Sequence, residues 1–296
     1  MVGIVEFEHA DNVAEWPERV ASGLDLLRVE TSIWPEYLEG AVAARLRTGD
    51  VLEPRGLVTM GPLKVVVDGS LNTRTAWCWD PYPGIGPDAE HPCGVATVPP
   101  EELRRLLRHA IPHGIAPAVH AIGDRANTEV LDIFAEFGVA GRIEHAQLVR
   151  SEDFARFGTL GVTASVQPEH AMDDRDVADR HWEGRTDRAF ALRSLHEGGA
   201  TLRFGSDAPV APLDPWIWID AATRRRRVDV NHGIRSSGSP RSRPRREHAR
   251  KDHRIGGRCC RSRGSRPRSA GAGFERLREL PVSGTLLAGR WTWRGL

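Results

Sequence analysis

Short apolar runs recur along the chain, spaced so that one helix fits between many of the neighbours. Seven fit buried strands: Val2–Phe7, Leu26–Ile33, Leu63–Val67, Ile115–Val119, Arg142–Val149, Val162–Val166 and Thr201–Phe204. Such short runs bounded by polar residues are what a strand covered on both faces requires. Between them the apolar spacing changes to that of a helix. Pro99-Pro100-Glu101-Glu102 opens one, with proline and acids in the first turn and Leu103, Leu106, Leu107 and Ala110 along one side. Asn127–Phe137 repeats the pattern with Val130, Leu131, Phe134 and Phe137. Ser151-Glu152-Asp153 supplies a capping residue for a third helix, and Thr186–His196 a fourth. Buried runs alternating with amphipathic helices predict an α/β fold with a parallel sheet, doubly wound or closed into a barrel. Seven strands favour an incomplete TIM-type (β/α)8 barrel or a large open sheet.

The pattern stops near Arg224. Residues 224–268 contain sixteen arginines and one lysine against three acids, a net +14, so the overall +1 leaves about −13 for the rest of the chain. The same stretch offers only Val228, Val230, Ile234, Ala249, Ile255, Cys259 and Cys260 for burial. That is too little apolar area to offset chain entropy, so disorder is the expectation. Three regions follow: a partial barrel at 1–223, an Arg/Ser/Gly/Pro-rich segment at 224–280, and a terminal strand or hairpin at 281–296 that includes Thr285-Leu-Leu-Ala-Gly-Arg-Trp. The basic window could neutralise phosphates, but it lacks aromatic residues for base stacking and any zinc-finger or helix-turn-helix spacing, so no specific nucleic-acid partner is expected. Four cysteines without a CxxC spacing argue against a disulfide framework and make a reducing cytoplasm the default compartment. No secretory leader and no membrane span is read from the sequence. A homo-oligomer is compatible with all of this.

Barrel enzymes place their working residues at the C-terminal ends of the strands. The third run contains Lys64 and leads to Asp68; the fourth ends at His120. The fifth carries Glu144-His145, the sixth leads to Gln167-Pro168-Glu169-His170, and the seventh to Gly205-Ser206-Asp207. Imidazole and carboxylate at successive strand ends make an inventory for a zinc site, with Asp207 placed to take a proton. Each residue alone has a bland alternative. A strand-end histidine is commonly a hydrogen-bonded structural group, Lys64 could snorkel outward, and Asp207 could cap a helix. Joint placement at four strand ends favours the metal. Trp77, Trp79, Tyr82 and Trp182, in the loops 77–92 and 172–185, are candidates for an apolar pocket wall or for plain packing.

Taken together, five ordered segments resemble the amidohydrolase superfamily, in its amidohydrolase-3 (YtcJ-like) branch. They are Gly61–Ala76, Val119–Ala126, Arg142–Gln147, Ser165–His170 and Phe204–Val210 with Asp214-Pro215. The resemblance implies a metal-dependent hydrolase acting on carbon–nitrogen bonds other than peptide bonds, with an amide or cyclic amide as small-molecule substrate. By position, Lys64 resembles the lysine whose carboxylation bridges two metals. His120 and His145 resemble the metal-binding histidines, and Asp207 the catalytic aspartate and a metal ligand. Asp68, Arg74, Gln167 and His170 fall to substrate binding. The superfamily also carries a His-x-His pair on its first barrel strand, and no such pair occurs here. The chain thus reads as barrel strands 2 to 8, N-terminally truncated, with a shifted reading frame over about 225–278. It is expected to hold zinc weakly or not at all, where an intact relative holds one or two ions, and to have impaired activity. A non-catalytic barrel used as a binding module is the competing reading.

Overall fold

The computed structural model describes residues 1–225 apart from residue 87, together with strands at 284–287 and 290–294. The expectations for the Arg-rich segment, beyond residue 225, lie outside the described residues.

Seven strands form one parallel sheet: β1 (Gly3–Glu6), β2 (Arg28–Ile33), β3 (Val58–Val66), β4 (Pro117–Ala121), β5 (Arg142–His145), β6 (Thr163–Val166) and β7 (Thr201–Phe204). Their spatial order is their chain order, and β1 and β7 are not paired with each other. The sheet curls without closing. Arg142 on β5 reaches across to Glu30 on β2 at 2.5 Å, and one cavity of about 1500 Å³ touches residues of all seven strands. Alternation of side chains along each strand builds the two faces. Leu63, Val65, Val119, Ile143, Ala164 and Val166 enter the main apolar core with Leu103, Leu107, Leu131 and Phe134 from the covering helices. Their sequence neighbours Lys64, His120, Glu144 and Ser165 line the cavity.

The connecting helices are α1 (Asn12–Ala21), α2 (Leu38–Ala43), α3 (Pro100–Ala110), α4 (Asp124–Phe137), α5 (Phe154–Thr159), α6 (His170–Asp173), α7 (Arg175–His181), α8 (Leu192–Glu197) and α9 (Pro215–Arg224). Helix α3 starts at Pro100 with Glu101 and Glu102 in its first turn and has Arg108 in its last, charges that oppose the helix dipole favourably. Helix α4 ends on Gly138 at φ 60°, a left-handed cap that glycine adopts without steric cost.

Several expected boundaries shift. Strand β3 begins at Val58 rather than Leu63 and carries an irregular register against β2 between Thr31 and Ile33. Gly61 sits there because a Cβ would lie 2.6 Å from the Thr31 carbonyl oxygen. Ser151 does not cap α5. Asp153 occupies the cap position, and its carboxylate turns to Thr128 and Arg156 instead. Thr186–Arg188 is a single 3-10 turn, and the helix expected from it starts only at Leu192. At the far end β8 (Gly284–Leu287) and β9 (Arg290–Arg294) pair as an antiparallel hairpin, with Leu287 packed against Val20, Leu57 and Val58. None of the described helices is long and apolar enough to cross a membrane.

Candidate metal centre

Three strand ends deliver one cluster. His145 is the last residue of β5, His170 opens α6 just after β6, and Asp207 follows β7. One ligand atom from each lies within 4.8 Å of the other two, and this is the one such group of His, Cys, Asp and Glu among the described residues. The His145 and His170 rings stack at 6.2 Å between centroids with planes 15° apart. Two of the three residues stand in the left-handed backbone region, His145 at φ 74° and Asp207 at φ 54°. Side chains other than glycine pay of order 1 kcal/mol or more for that conformation, and such strain gathers at functional sites.

The donor chemistry fits a divalent cation. Burial holds the His145 imidazole well below its ordinary titration range, with His120, Lys64 and His170 adding to that effect, so the ring is neutral. Its Nδ1 lies 2.8 Å from Gln167 Oε1. The Nε2 of His170 is buried without a hydrogen-bond partner, an orphan that a metal ion would satisfy. Two imidazoles and a carboxylate are a zinc-type ligand set, with room left for a further ligand.

Lys64 and Glu144 stand deeper in the curl, both buried. The Lys64 Nζ sits 4.6 Å over the Phe7 ring, reached from the end of β1. Burial lowers the Lys64 ammonium against the attraction of Glu144 and Asp207. Burial also raises the Glu144 carboxyl, against the attraction of Lys64. Both groups are therefore pushed toward their neutral forms, as expected where desolvation outweighs a Coulombic pairing. Arg142 ties this pair to the far wall, with its Nε 3.7 Å from Glu144 and its Nη2 on Glu30.

The expected ligand His120 is close but turned away. Its ring lies 4.5 Å from that of His145, while its Nε2 is 3.3 Å from both the Asp68 carboxylate and the Gly69 carbonyl. His170, assigned to substrate, takes its place in the cluster. Asp68, expected to bind substrate, braces two loops. It is fully buried, and its two oxygens accept from the backbone N–H groups of Ile122 (3.0 Å), Gly123 (2.8 Å) and Trp77 (2.9 Å). Asp124 repeats the device, accepting from Trp79 N and Arg188. A Cβ at Gly123 would fall 2.1 Å from the Trp77 carbonyl oxygen, so the two loops meet backbone to backbone. Arg74, also expected to bind substrate, is exposed, at φ 58°, and does not line the cavity. Gln167 does line it, with its carbonyl oxygen already committed to His145.

The aromatic loops turn out to be packing. Tyr82 and Trp182 are buried in a second apolar cluster with Leu71, and Trp77 and Trp79 lie against Arg125 at 4.4 and 4.7 Å. Trp34 and Trp218 line the cavity instead. Sequence reasoning assigned no role to Glu144, Arg142 or Glu30. The available signal was strand alternation: Arg142 and Glu144 are two apart on β5, and His120 pairs with Glu144 in register.

A parallel α/β half-barrel with imidazoles and a carboxylate gathered at its C-terminal rim belongs to the class of barrel proteins built around metal centres. More narrowly, the chain belongs to the amidohydrolase family, whose sequence profile matches residues 7–250. It is 34% identical over 190 residues to the protein LONG AFTER FAR-RED 3 of Arabidopsis thaliana, covering 61% of this chain and 32% of that one. It is also 34% identical over 181 residues to YtcJ of Bacillus subtilis (strain 168), covering 60% and 34%. The chain therefore spans about a third of the length of the curated relatives it matches. The structure of a metal-dependent hydrolase from Pyrococcus horikoshii OT3 superposes with a TM-score of 0.65 at 32% identity, over 76% of this chain and 44% of that one. A metal-dependent hydrolase from Pyrococcus furiosus gives the same TM-score and identity over 79% and 47%.

Proposed function

We propose that this chain carries most of the active site of a metal-dependent hydrolase for carbon–nitrogen bonds other than peptide bonds, with an amide or cyclic amide as substrate. The observation that carries the reading is the convergence of His145, His170 and Asp207 from three separate strand ends. Those three residues would hold the ion, zinc by the chemistry of the donors. When bound, the ion supplies Lewis acidity toward a scissile carbonyl.

The remaining work falls to the chain. The cavity of about 1500 Å³ admits a small molecule, with Trp34, Leu71 and Trp218 offering apolar contacts. Asp207, exposed on the rim, accepts the proton of a water that adds to the carbonyl carbon. The same carboxylic acid then returns that proton to the leaving nitrogen as the carbon–nitrogen bond breaks. By its position Lys64 resembles a lysine open to carboxylation. Its burial favours the neutral amine, the form that adds to carbon dioxide.

The reading includes weak activity for this chain. Among the described residues the sheet has two unpaired edges and the cluster supplies three ligands. The test is to purify the chain, measure bound zinc, and assay a panel of amides and cyclic imides with and without added metal. Slow, metal-dependent turnover that Asp207→Asn abolishes is the expected result. Fast turnover unaffected by chelators would overturn the reading.

A further inference from the structure

We propose that Gln167 is a positioning residue that fixes the tautomer of His145, and that the Ser165 carbonyl is what sets the orientation of Gln167. This rests on the proposed metal site and assigns the amide a role within it.

Ser165 lies on β6, held in register between Glu144 on β5 and Arg203 on β7. The direction of its carbonyl group is thus fixed by the sheet. The Gln167 side chain, buried two residues on, offers one amide nitrogen and one amide oxygen. Its Nε2 faces Ser165 O at 3.4 Å, and its Oε1 faces His145 Nδ1 at 2.8 Å. A carbonyl oxygen only accepts. Exchanging the two ends of the amide would set oxygen against oxygen at Ser165 and lose the one contact there. The backbone therefore selects the orientation in which the amide oxygen meets the imidazole.

That oxygen can only accept as well, so Nδ1 of a neutral His145 must carry the proton. The ring's lone pair is then on Nε2, the nitrogen that Gln167 leaves free, and we assign it as the atom that faces an ion shared with His170 and Asp207. Metal-ligating histidines are commonly oriented in this way, through the ring nitrogen that does not touch the ion. The neighbouring rings do not offer a competing acceptor at Nδ1. His120 meets His145 edge-on at 4.5 Å, and its own Nε2 is turned to Asp68 and Gly69. Binding substrate through Gln167, as the sequence resemblance implies, would cost His145 this acceptor.

The test needs no substrate. Long-range proton–nitrogen NMR correlations on the metal-free protein report which imidazole nitrogen is protonated. The expected wild-type result is a proton on Nδ1 of His145. In Gln167→Leu the acceptor is gone, and the expected results are a mixed or Nε2-protonated ring and zinc affinity weakened ~10–100-fold in chelator competition. Gln167→Glu, close to isosteric, keeps an acceptor at Nδ1 and retains both the tautomer and zinc binding. A wild-type ring protonated on Nε2 would overturn the inference, as would Gln167→Leu with tautomer and affinity unchanged. If the wild type shows the Nδ1 proton but binds no zinc, the metal reading fails and the tautomer assignment stands.

Discussion

Three side chains define the candidate centre, and their histidines differ in how they are held. His145 has a fixed partner at Nδ1, whereas His170 has a buried Nε2 with none. Replacing His170 by alanine removes a ligand rather than a support. Zinc affinity should therefore fall by more than ~100-fold, beyond the loss typical of a supporting partner. Chelator competition measures this, and His181→Ala, outside the cavity lining, is the control expected to leave affinity unchanged. The depressed titration of His145 also sets a pH dependence. Its folded-state pKa lies well below the 6.5 of a free imidazole, so the unfolded chain binds the proton first as pH falls. Stability from this group is present above about pH 6.5 and drains below it, by up to about 1.4 kcal/mol per pH unit. Urea midpoints at pH 7.5 and 5.5 should differ less in His145→Gln than in the wild type. An equal difference in both would remove His145 as the cause.

At the scale of elements, two buried carboxylates hold the loops after β3 and β4 together. Asp68 gathers three backbone amides from two loops, and Asp124 takes one amide and an arginine. Charge-assisted bonds of this kind are each worth about 1.5–3 kcal/mol, and a buried donor left alone costs a comparable amount. Asp68→Ala should destabilise the fold by about 3 kcal/mol or more, read as a lowered urea midpoint at constant slope. Because Asp68 also faces His120 Nε2, the same change leaves that nitrogen with the Gly69 carbonyl. The sequence showed an aspartate before Gly69-Ser70 and could not distinguish a turn, a substrate contact and this brace. The distinction depends on Ile122 and Gly123, more than fifty residues away in the chain.

At the scale of the molecule, the described residues form a curl with two unpaired edges. Among the described residues β1 and β7 each lack a neighbour on one side, and apolar Val5, Phe204, Val210 and Leu213 are exposed. Unpaired edge amides exchange readily with solvent, whereas central strands open only on larger unfolding. Hydrogen exchange should be fastest in β1 and β7 and slowest in β3, β4 and β5, a gradient that mass spectrometry of peptides resolves. Uniform protection across all seven strands would mean that the edges are covered in solution. The interior differs from the apolar layers usual in such barrels. It holds a crossing ion pair, Glu30–Arg142, with Glu144 and Lys64 beside it.

By itself the sequence determined the seven strands, the helices α3 and α4, and the family. Each rests on a local period: apolar runs for strands, a three-to-four spacing for helices, and motifs fixed to strand ends. Which histidines would share an ion was decided only by tertiary structure. His120 and His170 look alike as strand-end imidazoles, yet one is turned to a buried carboxylate and the other left with an orphaned nitrogen. That choice depends on how far each strand extends before its loop turns and on which partners distant loops bring. Hydrophobic periodicity carries no information about either.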